Sequence, residues 1–138
     1  MKANLIILFA SVLFSCNSLQ KQRSAGIECF DSNFYQKIEK VSLNDVEGIK
    51  RMNGKFIEVE GIFRYSFEDV ALYPSRPTDP AKAIWINFKI SEILSDSLLY
   101  GLNEKKVKVI GRVNTLEKGH FNGYIAALDS TFCIKEIR

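Results

Sequence analysis

The sequence predicts a mostly-β domain of five strands, with one helix between the third and the fourth and a short helical extension ahead of the first. Three observations predict it. Two segments, 54–63 and 104–113, alternate apolar and charged residues with the period of a strand. Each carries a glycine near its middle, Gly61 and Gly111, where a coiled strand bends as at a barrel corner. Between them, an apolar run at 83–89 gives way to helical spacing at 90–102.

The elements follow in order. Residues 31–54 read as one or two short helices. Asp31 or Ser32 could cap the first, with Phe34, Tyr35 and Ile38 on its inner face. Ser42 followed by Asp45, with Val46 and Ile49 beyond, offers a second start, and Gly54 a stop. In 54–63, Ile57, Val59, Gly61 and Phe63 share one face, and Glu58 and Glu60 the other. After a turn at 66–69 comes a short strand, 69–74, and then a loop, 75–82, marked by Pro77 and Pro80. The third strand is 83–89. The helix at 90–102 spaces Ile90, Ile93, Leu94 and Leu98 on one side and ends at Gly101. In 104–113, Val107, Val109, Gly111 and Val113 point inward, against Lys106, Lys108 and Arg112. A turn at 117–123 leads to the last, interrupted strand, 124–137. Asn53, Lys55, Val59 and Gly61 recur fifty positions on as Asn103, Lys105, Val109 and Gly111. That match is too short for a repeat architecture, and reads as two strands meeting the same geometric demand.

This order resembles the OB-fold, a small five-stranded Greek-key barrel. The stretches "GKFIEVEG" and "KKVKVIG" resemble the first and fourth strands of OB domains related to the anticodon-binding group. The chain as a whole is similar to bacterial envelope lipoproteins with a single OB-fold domain, a group with no settled activity. The resemblance covers residues 41–138. A small α+β domain with a twisted antiparallel sheet is the other fold these elements could make.

The leader predicts the address. Lys2 precedes an apolar stretch, Leu5 to Phe14, too short to span a membrane, which takes roughly 20 residues, but suited to a signal sequence. Leu13-Phe14-Ser15-Cys16 resembles the bacterial lipobox, although Phe14 is larger than usual there. That resemblance implies removal of 1–15, diacylglycerol on the Cys16 thiol, and acylation (palmitate, for example) of its new amino group. The alternatives are a cleaved signal with an incidental cysteine and a buried apolar segment. Residues 16–26 are polar without hydrophobic period, a flexible tether, and the domain is expected over 27–138. No early acidic cluster follows Cys16, which points toward the periplasmic side of the envelope.

Two cysteines remain, Cys29 and Cys133. In an oxidising compartment they suggest a disulfide. Closing a loop of about 100 residues would stabilise by roughly 4 to 5 kcal/mol in the chain-entropy model; the alternative is two separate buried thiols. The formal charge of +3 includes Lys2 of the leader and is low for this length. It lacks the basic stripe of a nucleic-acid binder.

No constellation predicts catalysis. His120 is the only histidine, so any His-based triad would be built on it, and nothing resembles a nucleophile elbow. Glu58 and Glu60 look like a carboxylate pair, but Lys106 and Lys108 on the adjoining strand make them cross-strand ion pairs. One histidine and no close cysteine spacing argue against a metal. There is no phosphate-binding glycine loop, and no cofactor is expected. OB barrels bind on the face of their second and third strands, bordered by two loops. That region here holds Tyr65, Phe67, Tyr73, Trp85, His120, Phe121 and Tyr124. The expected ligand face is Tyr73, Trp85, His120 and Tyr124, where rings could stack on sugars or bases or anchor a peptide; packing in the core is the competing role. If Ile84 and Ile86 point inward, Trp85 points out. The function expected is a membrane-anchored, non-catalytic binding or adaptor module of the cell envelope, recognising a protein or glycan. A single-stranded nucleic-acid-binding domain and an enzyme using His120 are the alternatives.

Overall fold

The computed structural model describes residues 26–27, 38–88 and 96–138. Among the described residues, seven strands and two α-helices run in the order β1 (Gly26–Ile27), β2 (Glu39–Lys40), α1 (Val46–Arg51), β3 (Phe56–Ser66), β4 (Asp69–Tyr73), β5 (Ile84–Phe88), α2 (Asp96–Leu102), β6 (Lys106–Asn114) and β7 (Ala126–Glu136). Five of the strands close into a barrel. β3 pairs antiparallel with β4, β4 with β5, and β5 parallel with β7. β7 then pairs antiparallel with β6, and β6 with β3, which completes the circuit. With α2 between β5 and β6, this is the OB-like five-stranded mixed barrel that the element order predicts.

Alternation decides the interior. Ile57, Val59, Phe63, Leu72, Ile84, Val107, Val109, Leu128 and Ile134 are buried inside the barrel, each contributing about 1.5–3 kcal/mol relative to exposure. Gly61 lies so close to β4 that a β-carbon would sit 2.5 Å from the Tyr73 carbonyl oxygen. Gly111 sits at the break in the β6–β7 register between Ile110 and Arg112, where a β-carbon would be 2.8 Å from Thr131 Oγ1. Both are bends that only glycine accommodates. The interruption expected in the last strand is real, with Ser130 at φ 51°.

The fifty-residue echo is larger than the two strands. α1, its turn and β3 correspond to α2, its turn and β6 through an antiparallel pairing that relates them by a local two-fold. The Asn53 side chain accepts from Thr115 N at 2.9 Å, and that of Asn103 from Tyr65 N at 2.8 Å. Gly54 N donates to Val113 O as Glu104 N donates to Phe63 O, and both residues are left-handed, at φ 81° and 62°. Ile49 and Met52 of one unit and Leu99 and Leu102 of the other are buried in the same core.

Some boundaries differ from the sequence reading. α1 starts after Asp45, whose carboxylate accepts from Gly48 N at 2.8 Å, so Asp45 is itself the cap and Ser42 instead accepts from Asn44 N. Glu39 and Lys40, read within a helical stretch, form a strand parallel to the start of β3; pairing to the barrel outweighs a weak local helix preference. The helix expected from Asp31 or Ser32, and the first part of that at 90–102, lie outside the described residues, as do the leader, Cys16, most of the tether and Cys29. β1 begins at Gly26, the last residue of the expected tether, and pairs with Lys135 and Ile134. No helix among the described residues is long and apolar enough to cross a membrane.

Candidate functional site

The outward faces of β4 and β5 carry a second apolar cluster, separate from the barrel core. Ala71, Tyr73, Ala83 and Tyr124 are buried in it, with Ile62 and Trp85 packed against them. Strand parity puts them there. Leu72 and Ile84 face each other inside, so their neighbours Ala71 and Trp85, opposite one another, face out. Tyr124 comes from the segment between β6 and β7, which folds back over this face.

All four expected ligand-face residues belong to this region, in different states. Tyr73 is 1% and Tyr124 7% exposed. Both hydroxyls donate to one oxygen, Asp69 Oδ1, at 2.8 and 2.9 Å. Arg64 completes the knot, with Nη1 3.4 Å from Asp69 Oδ2, a 2.8 Å bond to Thr78 Oγ1, and its guanidinium 5.8 Å from the Tyr73 ring centroid. Burial and then the bond to Asp69 push the Tyr124 phenol up to about 12, and the same causes push Tyr73 higher still. These phenols stay protonated and donate.

Trp85 is half-buried. Its Nε1 donates to Asn87 Oδ1 at 2.8 Å, and its ring meets Tyr124 edge-on at 5.2 Å. Asn87 Nδ2 in turn donates to Glu117 Oε1 at 2.9 Å and Asp129 Oδ1 at 3.0 Å, while Asn114 Nδ2 donates to Asp129 Oδ2 at 2.8 Å. Over the indole lies Gly119, at φ 63°. A β-carbon there would fall 2.6 Å from Trp85 Cδ2, so the backbone itself covers the ring.

His120 ends this crossing. Its ring centroid is 4.0 Å from that of Phe121, and its Nε2 faces Glu68 Oε1 at 3.8 Å, too far to bond. That nitrogen is buried without a hydrogen-bond partner, a cost of about 1–3 kcal/mol. Phe121 and Asn122 follow at φ 52° and 54°, a conformation asparagine tolerates but one costing roughly 1–2 kcal/mol at Phe121. The Phe121 side chain is 90% exposed and Phe67, on the turn before Glu68, 97%.

The Glu58–Glu60 pair is charge-matched by diagonal contacts, since the register sets Glu60 opposite Lys108 and Glu58 opposite Ile110. Lys108 lies 3.4 Å from Glu58, Lys106 3.9 Å from Glu60, and Lys40 bridges both. No group of three or more metal-ligating side chains occurs among the described residues.

Asp69, Gly119, Asn87 and Asp129 organise the face, and nothing in their local sequence marks them. Asp69 reads only as the start of a strand and Gly119 only as a turn. Their partners lie across the fold, with Tyr124 fifty-five positions from Asp69, and no local pattern signals that. Cys133 is buried and disulfide-bonded; the other half of the bridge lies outside the described residues. Against known protein families, curated proteins and solved structures, the chain finds no match.

Proposed function

We propose that this chain is a membrane-anchored, non-catalytic binding or adaptor module of the bacterial cell envelope, tethered through a lipid on Cys16 and recognising a protein or glycan on the outer face of β4 and β5. The address rests on the leader and the lipobox-like Leu13 to Cys16. Cys29 is the partner of Cys133, an assignment supported by the antiparallel pairing of Gly26 and Ile27 with Lys135 and Ile134, which carries the chain toward Cys133.

One observation carries the binding reading. Trp85 is an outward-facing indole held by a hydrogen bond at Nε1 and a tyrosine at its side, on strands of a closed barrel. A large ring already fixed in place loses little freedom when a partner docks, which is how hot-spot residues act. Trp85→Ala should therefore cost about 2 kcal/mol or more in affinity for the envelope partner, with a small change in melting temperature. A sharp fall in melting temperature with unchanged partner recovery per folded molecule would make Trp85 a packing residue and the reading wrong.

A further inference from the structure

We propose that residues 117–123 form a strap that takes the place of a ligand on Trp85, and that the ligand which displaces it is a glycan, one pyranose ring lying where the Gly119 backbone lies now. This rests on the binding-module reading and names its partner class.

The strap is in contact but lightly held. Gly119 meets the indole face with backbone alone, since a β-carbon would come within 2.7 Å of Cδ2, Cε3 and Cγ. Its attachments are polar and lie at its ends: Glu117 Oε1 accepts from Asn87 Nδ2 and Glu117 N donates to Asn114 Oδ1, while Tyr124 N donates to Lys118 O. His120 faces Glu68 without bonding to it. Its large apolar side chain, Phe121, points into solvent rather than anchoring it. Closure holds Phe121 and Asn122 left-handed and leaves His120 Nε2 without a hydrogen bond. Lifting the strap lets both residues return to ordinary backbone and gives that nitrogen water. A closed state that carries such costs needs only modest ligand energy to open.

What lies beneath suits a sugar. With Glu117 withdrawn, one hydrogen of Asn87 Nδ2 is released at the Nε1 edge of the Trp85 ring, next to Asp129 and Asn114. An aromatic plane bordered by an amide donor and a carboxylate acceptor matches a ring with an apolar C–H face and hydroxyls at its edge. A base could use the same plane, but its phosphates would meet Asp129 and Glu117 rather than a basic groove.

Trp85 is the only tryptophan, so its emission reports the strap directly. The test uses the full-length protein in a detergent without sugar headgroups and a β-1,4-linked N-acetylglucosamine tetramer as probe. Gly119→Ala forces the strap off the indole, and Glu117→Ala, at an exposed position clear of the core, releases its tie to Asn87. Both variants should shift emission to longer wavelength and raise acrylamide quenching. They should bind the tetramer about tenfold more tightly than the unaltered protein, because less of the population is closed, and Trp85→Phe should weaken that binding. Unchanged emission in both folded variants would overturn the strap. Red-shifted emission without tetramer binding, or with tighter binding of a single-stranded oligonucleotide or an unstructured peptide, would overturn the glycan assignment. If an envelope partner is still lost with Trp85→Ala in that case, the binding-module reading stands by itself; if nothing depends on Trp85, that reading falls too.

Discussion

Because the Tyr73 and Tyr124 hydroxyls both donate to Asp69, ionising either phenol would set a second negative charge against the carboxylate. Tyr65 is in a similar position, with its hydroxyl 2.7 Å from Asp96 Oδ1, a bond that pushes its phenol up to about 12. A phenol raised above its unfolded value of about 10 contributes stability fully below that pH. The contribution is lost as pH climbs through the folded value, because the unfolded chain gives up the proton first. The protein should therefore weaken between about pH 10 and 12. In an absorbance titration, Tyr65→Phe should delete a late phenolate step near pH 12, and Asp96→Ala should move that step down toward 10. A titration in which neither variant alters the late step would refute the assignment. Asp69→Ala removes the acceptor of two buried hydroxyls, at about 1–3 kcal/mol for each that finds no water; an unchanged urea midpoint would count against the knot.

The helix–turn–strand unit is used twice, and each copy leans on the other. Asn53 closes the end of β6 and Asn103 the end of β3, so the two strands that begin at these turns are each secured by the opposite unit. Asn103→Ala leaves the half-buried Tyr65 N–H without its acceptor, and should cost about 1–3 kcal/mol in urea denaturation. Two of the first unit's glycines, Gly54 and Gly61, separate conformation from contact. At Gly54 a β-carbon meets nothing within 4 Å, so Gly54→Ala should cost only the left-handed strain, roughly 1–2 kcal/mol. At Gly61 the backbone of β4 stands in the way, so Gly61→Ala should cost clearly more. Equal losses would mean the bend in β3 is not set by that close approach.

Across the whole molecule, barrel closure leaves β1 and β2 as two-residue additions on its outside. β1 joins β7 beside the disulfide-bonded Cys133, so the segment leading in from the tether is fastened to the last strand. Thiol labelling of native protein should leave Cys133 unmodified until a reductant is added, and Cys29 should become reactive in the same step. Labelling of both without reductant would dissolve that fastening. Cys16→Ala should leave an unprocessed precursor, and an unacylated mature N-terminus at another residue would remove the membrane anchor from the picture.

Strand parity is legible in the residues themselves. Alternation of Ile57, Val59 and Phe63 against Glu58 and Glu60 sets their sides of the sheet, as the pair Ile84 and Ile86 does for Trp85. Gly61 and Gly111 mark the bends, and Lys106 and Lys108 the partners of the glutamates, because these depend on neighbours along a strand or across one ladder. A period of two says which face a side chain takes and nothing of what lies on that face. Trp85 lies under Gly119, and Tyr124 shares Asp69 with Tyr73, only because residues 117–124 return over β4 and β5 to reach Asn87 and Asp69. Such contacts join residues tens of positions apart. They arise when the closed barrel brings its loops to one side, and tertiary packing alone decides them.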